Sequence, residues 1–292
     1  MDGKFSRQFE IDSNEYPFTS RWHKTPEGAM HYVDEGQGEI ILFVHGTPTW
    51  SFLYRQQIKN LSSSHRCIAI DHLGFGLSDK PKNAAYKPLD HARRLAEFID
   101  RLELKSITLV VHDFGGPIGL SYAINRPDNV QRLVLFNTWL WSNSHDVDKV
   151  KVCKILCSPL GALLYQGLNA SPKYLLKLGF ANKSVLTKPL HKNYVRPFDS
   201  YNSRKSLLVL GRELLSEWYE TLWERRERIA SIPMQIIWGT RDVLFKEVDL
   251  QRWAAWKNNK RIARLDHVGH FPQEEAPKEV FEIMTRFLEE TG

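Results

Sequence analysis

Ile107-Thr108-Leu109-Val110-Val111-His112-Asp113-Phe114-Gly115-Gly116-Pro117-Ile118-Gly119 is the stretch that decides how this chain folds. Its opening residues are aliphatic or β-branched with no alternation, as a parallel strand buried on both faces reads. One carboxylate follows, then two glycines, then a segment able to form a helix. So abrupt a turn from strand to helix forces unusual backbone angles on the residue at its tip and needs small neighbours. In return, the tip side chain stands proud of the sheet and points at a pocket. Here that side chain is Asp113. An Asp carboxylate is ionised at neutral pH and can act as a covalent nucleophile without help. An Asp that merely caps the helix gives the same local pattern, so the rest of the chain has to choose.

Upstream, Ala29 to Asp34 reads as a strand ended by the turn Glu35-Gly36-Gln37-Gly38. Ile40 to Val44 is a buried strand running into His45-Gly46-Thr47-Pro48-Thr49-Trp50, with a helix from about Trp50 to Leu61. Cys67 to Ile70 is a further strand, ending in the glycine-punctuated loop Asp71-His72-Leu73-Gly74-Phe75-Gly76-Leu77-Ser78. Pro88 to Leu104 places apolar residues at helical spacing with charge opposite. Downstream, the helix after Asp113 ends near Arg126-Pro127, and Val130 to Phe136 is another strand. Strands alternating with helices predict a mostly parallel, doubly wound α/β sheet covered on both faces.

The rhythm breaks at Asn137. From Trp139 to about Trp218 no buried-strand run occurs; helix-like pieces are separated by Ser158-Pro159, Ser171-Pro172, Lys188-Pro189 and Arg196-Pro197, and the segment is rich in aromatics, Lys and Arg. It reads as a helical cap inserted after the strand ending near Phe136 and lying over the sheet's C-terminal edge. Residues 139–218 are therefore expected to form a cap domain, and residues 1–138 with 219–292 the core domain. The sheet resumes with Met234 to Trp238, ending in Gly239-Thr240-Arg241-Asp242. A helix near Lys246 to Trp256 precedes the strand Arg261 to Leu265, which leads to Asp266-His267-Val268-Gly269-His270, and Pro277 to Glu290 closes the chain as a helix.

With 292 residues, 42% of them hydrophobic, the chain can bury a sizeable core. The net charge of +6 is spread without an Arg/Lys block, a zinc-finger spacing or an RNA-binding signature, so no nucleic-acid partner is expected. No stretch is long and apolar enough to span a bilayer, so no membrane partner is expected either. Cys67, Cys153 and Cys157 are odd in number and follow no secretory signal, which predicts free thiols and a cytoplasmic setting. Cys153 and Cys157 lie one helical turn apart without matching ligands, which favours packing over metal binding; no metal and no cofactor are expected.

In open parallel sheets, ligands bind at the carboxyl ends of strands. Four polar motifs sit at such ends: His45-Gly46-Thr47-Pro48, Asp113, Asp242 and His270. Singly, Asp242 could be an N-cap and His270 a loop histidine; together they run nucleophile, acid, histidine. Over nearly its whole length the chain resembles an α/β-hydrolase of the haloalkane dehalogenase and epoxide hydrolase branch. The resemblance is carried by His45-Gly46-Thr47-Pro48-Thr49-Trp50, Asp71-His72-Leu73-Gly74-Phe75-Gly76-Leu77-Ser78, Val111-His112-Asp113-Phe114-Gly115-Gly116, and Asp242 with His270. Epoxide hydrolases usually place Gly two residues before the nucleophile, whereas Val111 and the Pro-Thr-Trp run look like dehalogenases. One dehalogenase subgroup takes its acid from the end of the strand before the cap; Asn137 stands there and cannot be an anion, so the resemblance assigns the acid to Asp242.

The resemblance implies a hydrolase in which Asp113 attacks an electrophilic carbon and His270, oriented by Asp242, activates water against the resulting ester. The backbone N–H groups of Thr47 and Phe114 would form the oxyanion hole, and the cap and Trp50 would wall off water from a small apolar substrate. Two positions depart from the dehalogenase pattern. Phe114 stands where Trp generally binds halide, and Thr47 where Asn or Glu often does, so Trp139 or Trp141 at the cap entrance could supply the missing indole. Epoxide hydrolysis would instead need a cap tyrosine among Tyr165, Tyr174, Tyr194 and Tyr201. A ligand-binding protein that kept the fold and lost catalysis is the third alternative.

Overall fold

The computed structural model describes Phe9, residues 11–256 and residues 260–292. Its strands are β1 (Arg21–Thr25), β2 (Gly28–Glu35), β3 (Ile40–Val44), β4 (Arg66–Ile70), β5 (Ile107–His112), β6 (Val130–Phe136), β7 (Met234–Gly239) and β8 (Lys260–Leu265). They form one sheet in the order β1-β2-β4-β3-β5-β6-β7-β8. β2 runs antiparallel to β1 and β4, and every pair from β4 onward is parallel. β5 lies between β3 and β6 and is buried along its whole length. Because successive side chains of a strand face opposite ways, Leu109 and Val111 join one core with Leu42, Val44 and Leu133, while Val110 joins the other with Phe43 and Val134. This is why the run shows no alternation: both of its faces are interior.

The helices α1 (Arg55–Leu61), α2 (Pro88–Arg101) and α3 (Gly115–Asn125) cover the sheet, α2 packing on α3 over one face and α1 on the closing helix Pro277–Glu290 over the other. The helix expected from Trp50 starts as a 3₁₀ turn, Ser51–Tyr54, before α1. β1 was not expected: Arg21–Thr25 is polar, buries only His23, and exists by pairing with β2 at the sheet's edge. Between β6 and β7 the described residues hold no strand. They form α4 (Val147–Cys157), two wide π-helical turns (Leu163–Gly167 and Ser171–Leu175), and helices at Lys188–Val195, Lys205–Arg212 and Trp218–Glu224.

Buried polar contacts fasten this helical region to the sheet. The Arg55 guanidinium grips Glu274 through Nη1 at 2.5 Å and Nη2 at 3.0 Å, and the Tyr194 hydroxyl donates to the same carboxylate. Trp50 Nε1 donates to the Asn193 carbonyl at 3.0 Å. Beneath the site, the fully buried Asp71 accepts from His31 Nδ1, the Ser51 N–H and the Leu77 N–H, each at 2.8 Å. Burial works to raise its pKa, and these partners together bring it below the ordinary carboxylate value. The loop after β4 is thereby held by a buried anion.

Candidate active site

β5 ends at His112 and α3 begins at Gly115, leaving two residues for the turn. Asp113 takes the left-handed backbone conformation, φ +52°, which is rare outside glycine. The turn closes because its neighbours are small: a Cβ on Gly115 would strike the Val44 carbonyl, and one on Gly116 would strike Thr138 Oγ1. Thr138 Oγ1 donates to the Asp113 carbonyl at 2.6 Å and pins the tip. The side chain projects toward the end of β3, where the Thr47 N–H donates to Asp113 Oδ1 at 2.8 Å. The Phe114 N–H also bonds the carboxylate. Gly46 is required for this approach, since a Cβ there would overlap the carboxylate. Burial pushes the Asp113 carboxyl up to about 6, against the pull of His270 and of the two N–H groups.

His270 lies beyond β8 with Nδ1 2.7 Å from Asp242 Oδ2 and Nε2 3.7 Å from Asp113 Oδ2. The first is a hydrogen bond; the second is too long for one. Nε2 has no hydrogen-bond partner among the described residues. Burial disfavours the imidazolium, but Asp242 and Asp113 outweigh it and raise the pKa above the ordinary histidine value. Asp242 accepts the Leu244 N–H on Oδ1 at 2.7 Å and Asn137 Nδ2 on Oδ2 at 2.9 Å. Asn137 in turn accepts the Gly239 N–H at 2.9 Å, which ties the ends of β6 and β7 together. The position that cannot supply an anion thus supports the carboxylate that stands beside it.

Two supports of His270 were not legible as such in the sequence. His112 Nε2 stands 2.8 Å from the His270 carbonyl, with the two rings 4.5 Å apart. The Glu275 carboxylate accepts the Gly269 and Asn182 N–H groups, each at 2.8 Å, while the His270 N–H donates to the Gly179 carbonyl at 2.7 Å. His112 was visible only as part of a motif, and nothing in local spacing marks Glu275.

Asp113 and His270 open on a cavity of about 320 Å³. Thr47, Pro48 and Phe114 line its floor, with Phe245 beside them, and Leu156, Leu176 and other apolar residues of the helical region line the rest. The Thr47 hydroxyl is buried there without a partner among the described residues. The expected tryptophans do not line it. Trp50 is committed to Asn193; Trp141 packs among Trp223 and Trp253; Trp139 lies behind Phe114, edge-on at 4.9 Å, and stacks on Phe245. The wall and the indole donor assigned to them are therefore corrected: all three are core. Of the four tyrosines only Tyr165 lines the cavity, since Tyr194 is held by Glu274 and Tyr174 and Tyr201 are exposed. Burial pushes the Tyr165 phenol up to about 12, a bond with the Ser171 side chain opposing the rise.

No group of His, Cys, Asp and Glu among the described residues is placed to hold a metal ion. Cys153 and Cys157 share α4 with sulfurs 3.9 Å apart, and all three cysteines are free thiols.

Comparison with known proteins agrees with this architecture. Residues 39–277 match the family described as alpha/beta hydrolase fold. Haloalkane dehalogenase 2 of Mycobacterium tuberculosis is 34% identical over 94% of this chain and 96% of its own. A cis-3-alkyl-4-alkyloxetan-2-one decarboxylase of Shewanella oneidensis is 32% identical over 94% of this chain and 90% of its own. Among solved structures, a point mutant of the haloalkane dehalogenase DatA from Agrobacterium tumefaciens superposes with a TM-score of 0.86 at 25% identity, covering 96% of this chain and 100% of that one.

Proposed function

Because the chain belongs to the α/β-hydrolase fold family, whose nucleophile sits on a strand-to-helix elbow, we propose that Asp113 is a nucleophile, His270 a general base and Asp242 the acid that orients it. In this reading residues 139–218 are the cap domain over a core of residues 1–138 and 219–292. One observation carries the assignment: the Thr47 N–H holds Asp113 Oδ1 and the Phe114 N–H bonds the same carboxylate, while Oδ2 lies 3.7 Å from His270 Nε2 on the cavity both residues line. One oxygen is anchored and the other is aimed.

Oδ2 attacks a saturated carbon, the carbon–halogen bond breaks, and halide leaves with the bonding pair, giving an alkyl ester. Water then loses a proton to His270 Nε2 and adds to Asp113 Cγ. The negative charge gathers on Oδ1, to which the Thr47 N–H already donates, with the Phe114 N–H on the same carboxyl group. Collapse expels the alcohol with the proton from His270 and leaves Asp113 as the acid, whose proton passes to solvent to restore the carboxylate. The largely apolar cavity suits a small haloalkane.

A second reading draws on Phe114 and Thr47. Neither an indole nor a carboxamide stands where dehalogenases bind halide, and the similar Shewanella protein is named for decarboxylating an oxetanone ring. There Asp113 would attack the ring carbon bonded to oxygen. The ring carboxylate leaves while still tethered; loss of CO₂ then forms the alkene and expels Asp113. The two readings separate on product. Incubated with iodo-, bromo- and chloroalkanes, the enzyme is expected to release halide, bromide and iodide at least ~10-fold faster than chloride, because the weak donor set helps a poor leaving group least. Alkene and CO₂ from a cis-3,4-dialkyloxetan-2-one, with no halide from any haloalkane, would select the second reading. Diol from epoxides alone would select epoxide opening, with Tyr165 as proton donor.

A further inference from the structure

From Lys149 to Phe198 the chain contains no Asp or Glu, while Lys or Arg recurs at nine positions. Some of these charges are used internally: buried Lys149 pairs with Asp249 at 3.2 Å and Asp146 at 3.4 Å. Lys151, Lys154, Lys173 and Lys177 are exposed, and none forms a salt bridge among the described residues. Interleaved with them is apolar surface. Val152, Leu175 and Leu178 from the helical region, with Val243 and Leu244 from the loop after β7, are 43–54% exposed and also line the catalytic cavity. The cavity mouth is thus an apolar rim, and exposed lysines adjoin its residues along the chain, Lys151 beside Val152 and Lys177 beside Leu178. The acids at the mouth do not cancel this charge: Asp148 pairs with Lys246 at 2.6 Å, and Asp146 caps α4 beside Lys149. Exposed apolar surface continuous with a pocket marks an interaction face.

We propose that this face docks on an anionic lipid surface, the rim leucines and valines seated among the acyl chains and the lysines on headgroup phosphates, so that apolar molecules pass from bilayer to cavity without crossing water. Among the described residues no helix can cross a membrane; lying on one needs only apolar contact plus basic charge. Two copies of the chain joined by this face would oppose unpaired lysines to lysines, whereas an anionic surface complements them. A soluble apolar partner would leave the same charges unanswered.

The full-length protein is sedimented, without substrate, with phosphatidylcholine vesicles either pure or containing phosphatidylglycerol. Binding is expected to the anionic vesicles alone and to weaken as salt is raised. A basic residue at such a surface contributes about 1 kcal/mol, or about fivefold in partitioning. Joint Lys151→Glu, Lys173→Glu and Lys177→Glu substitution should therefore weaken binding more than ~100-fold. These exposed positions leave the thermal midpoint unchanged, which separates lost docking from lost fold. Leu175→Ser with Leu178→Ser should weaken binding with the charge intact. No sedimentation with anionic vesicles, equal binding to neutral ones, or an unaffected triple variant would overturn the proposal. So would a solution dimer that the serine variants dissociate. Because no turnover is read, none of these outcomes bears on the role of Asp113.

Discussion

Asp113 is held under opposing demands. Its left-handed φ and its buried charge both cost stability, and both serve to aim Oδ2 into the cavity. The charge cost has a definite sign with pH. The folded carboxyl titrates at about 6 against an ordinary 3.8, so the folded state binds more protons between those values and stability falls as pH rises through them. Asp113→Asn, which tolerates positive φ, should therefore unfold at higher denaturant than the parent at pH 7, by up to about 3 kcal/mol, while turnover falls at least ~10³-fold. A variant both inactive and less stable would contradict this account. In the proposed mechanism the same titration sets the pH dependence of the attack. Only ionised Asp113 is nucleophilic, so kcat/KM should fall tenfold per pH unit below about 6, and a flat profile down to pH 5 would remove Asp113 from the role. Asp113, Asp242 and His270 were legible because each follows a readable strand at its carboxyl end. Asn137 was legible only as a missing anion: its contact with Asp242 spans 105 residues, which no local pattern records.

At the scale of elements, the strand-turn-helix and most of the sheet could be read directly, since buried parallel strands announce themselves as apolar runs. β1 escaped because an edge strand with one buried residue carries no such run. The helical region could be read as helical, but not its wide turns or the cavity it helps enclose, because Leu163–Gly167 and Ser171–Leu175 depart from the 3.6-residue period used to find them. This also explains why the tryptophans were misplaced: Trp139 and Trp141 follow β6 in sequence, yet their rings turn into the core. The clamp between this region and the His270 loop is Glu275. Glu275→Ala leaves the Gly269 and Asn182 N–H groups without their acceptor, which should cost about 1–3 kcal/mol in denaturant unfolding. It should also lower kcat more than it raises KM, because His270 loses its placement while the cavity keeps its lining. A purely structural role for Glu275 would move stability and leave kcat alone.

Across the whole molecule, neutral histidines cluster in the interior where the loops after β3 and β4 meet α2. His45, His72 and His91 are fully buried and pack ring to ring, centroids 4.5 and 5.0 Å apart. Burial lowers all three pKa values, that of His45 to about 4. Each binds a proton more readily when unfolded, so their contribution to stability is complete above pH 6.5 and is lost as pH falls toward the folded values. The urea midpoint should drop between pH 7 and pH 5, and His91→Phe should make that drop shallower; an unchanged slope would show the cluster to be irrelevant to acid unfolding.

If Asp113 carries the reaction through an ester, the direct measurement is to stop it there. His270→Phe removes the base that hydrolyses the ester but leaves the carboxylate free to attack. Incubated with a bromoalkane and digested, this variant is predicted to carry the mass of the alkyl group on the peptide containing Asp113, with one bromide released per labelled chain. Steady turnover with no labelled peptide, or a label on any other residue, would contradict the account.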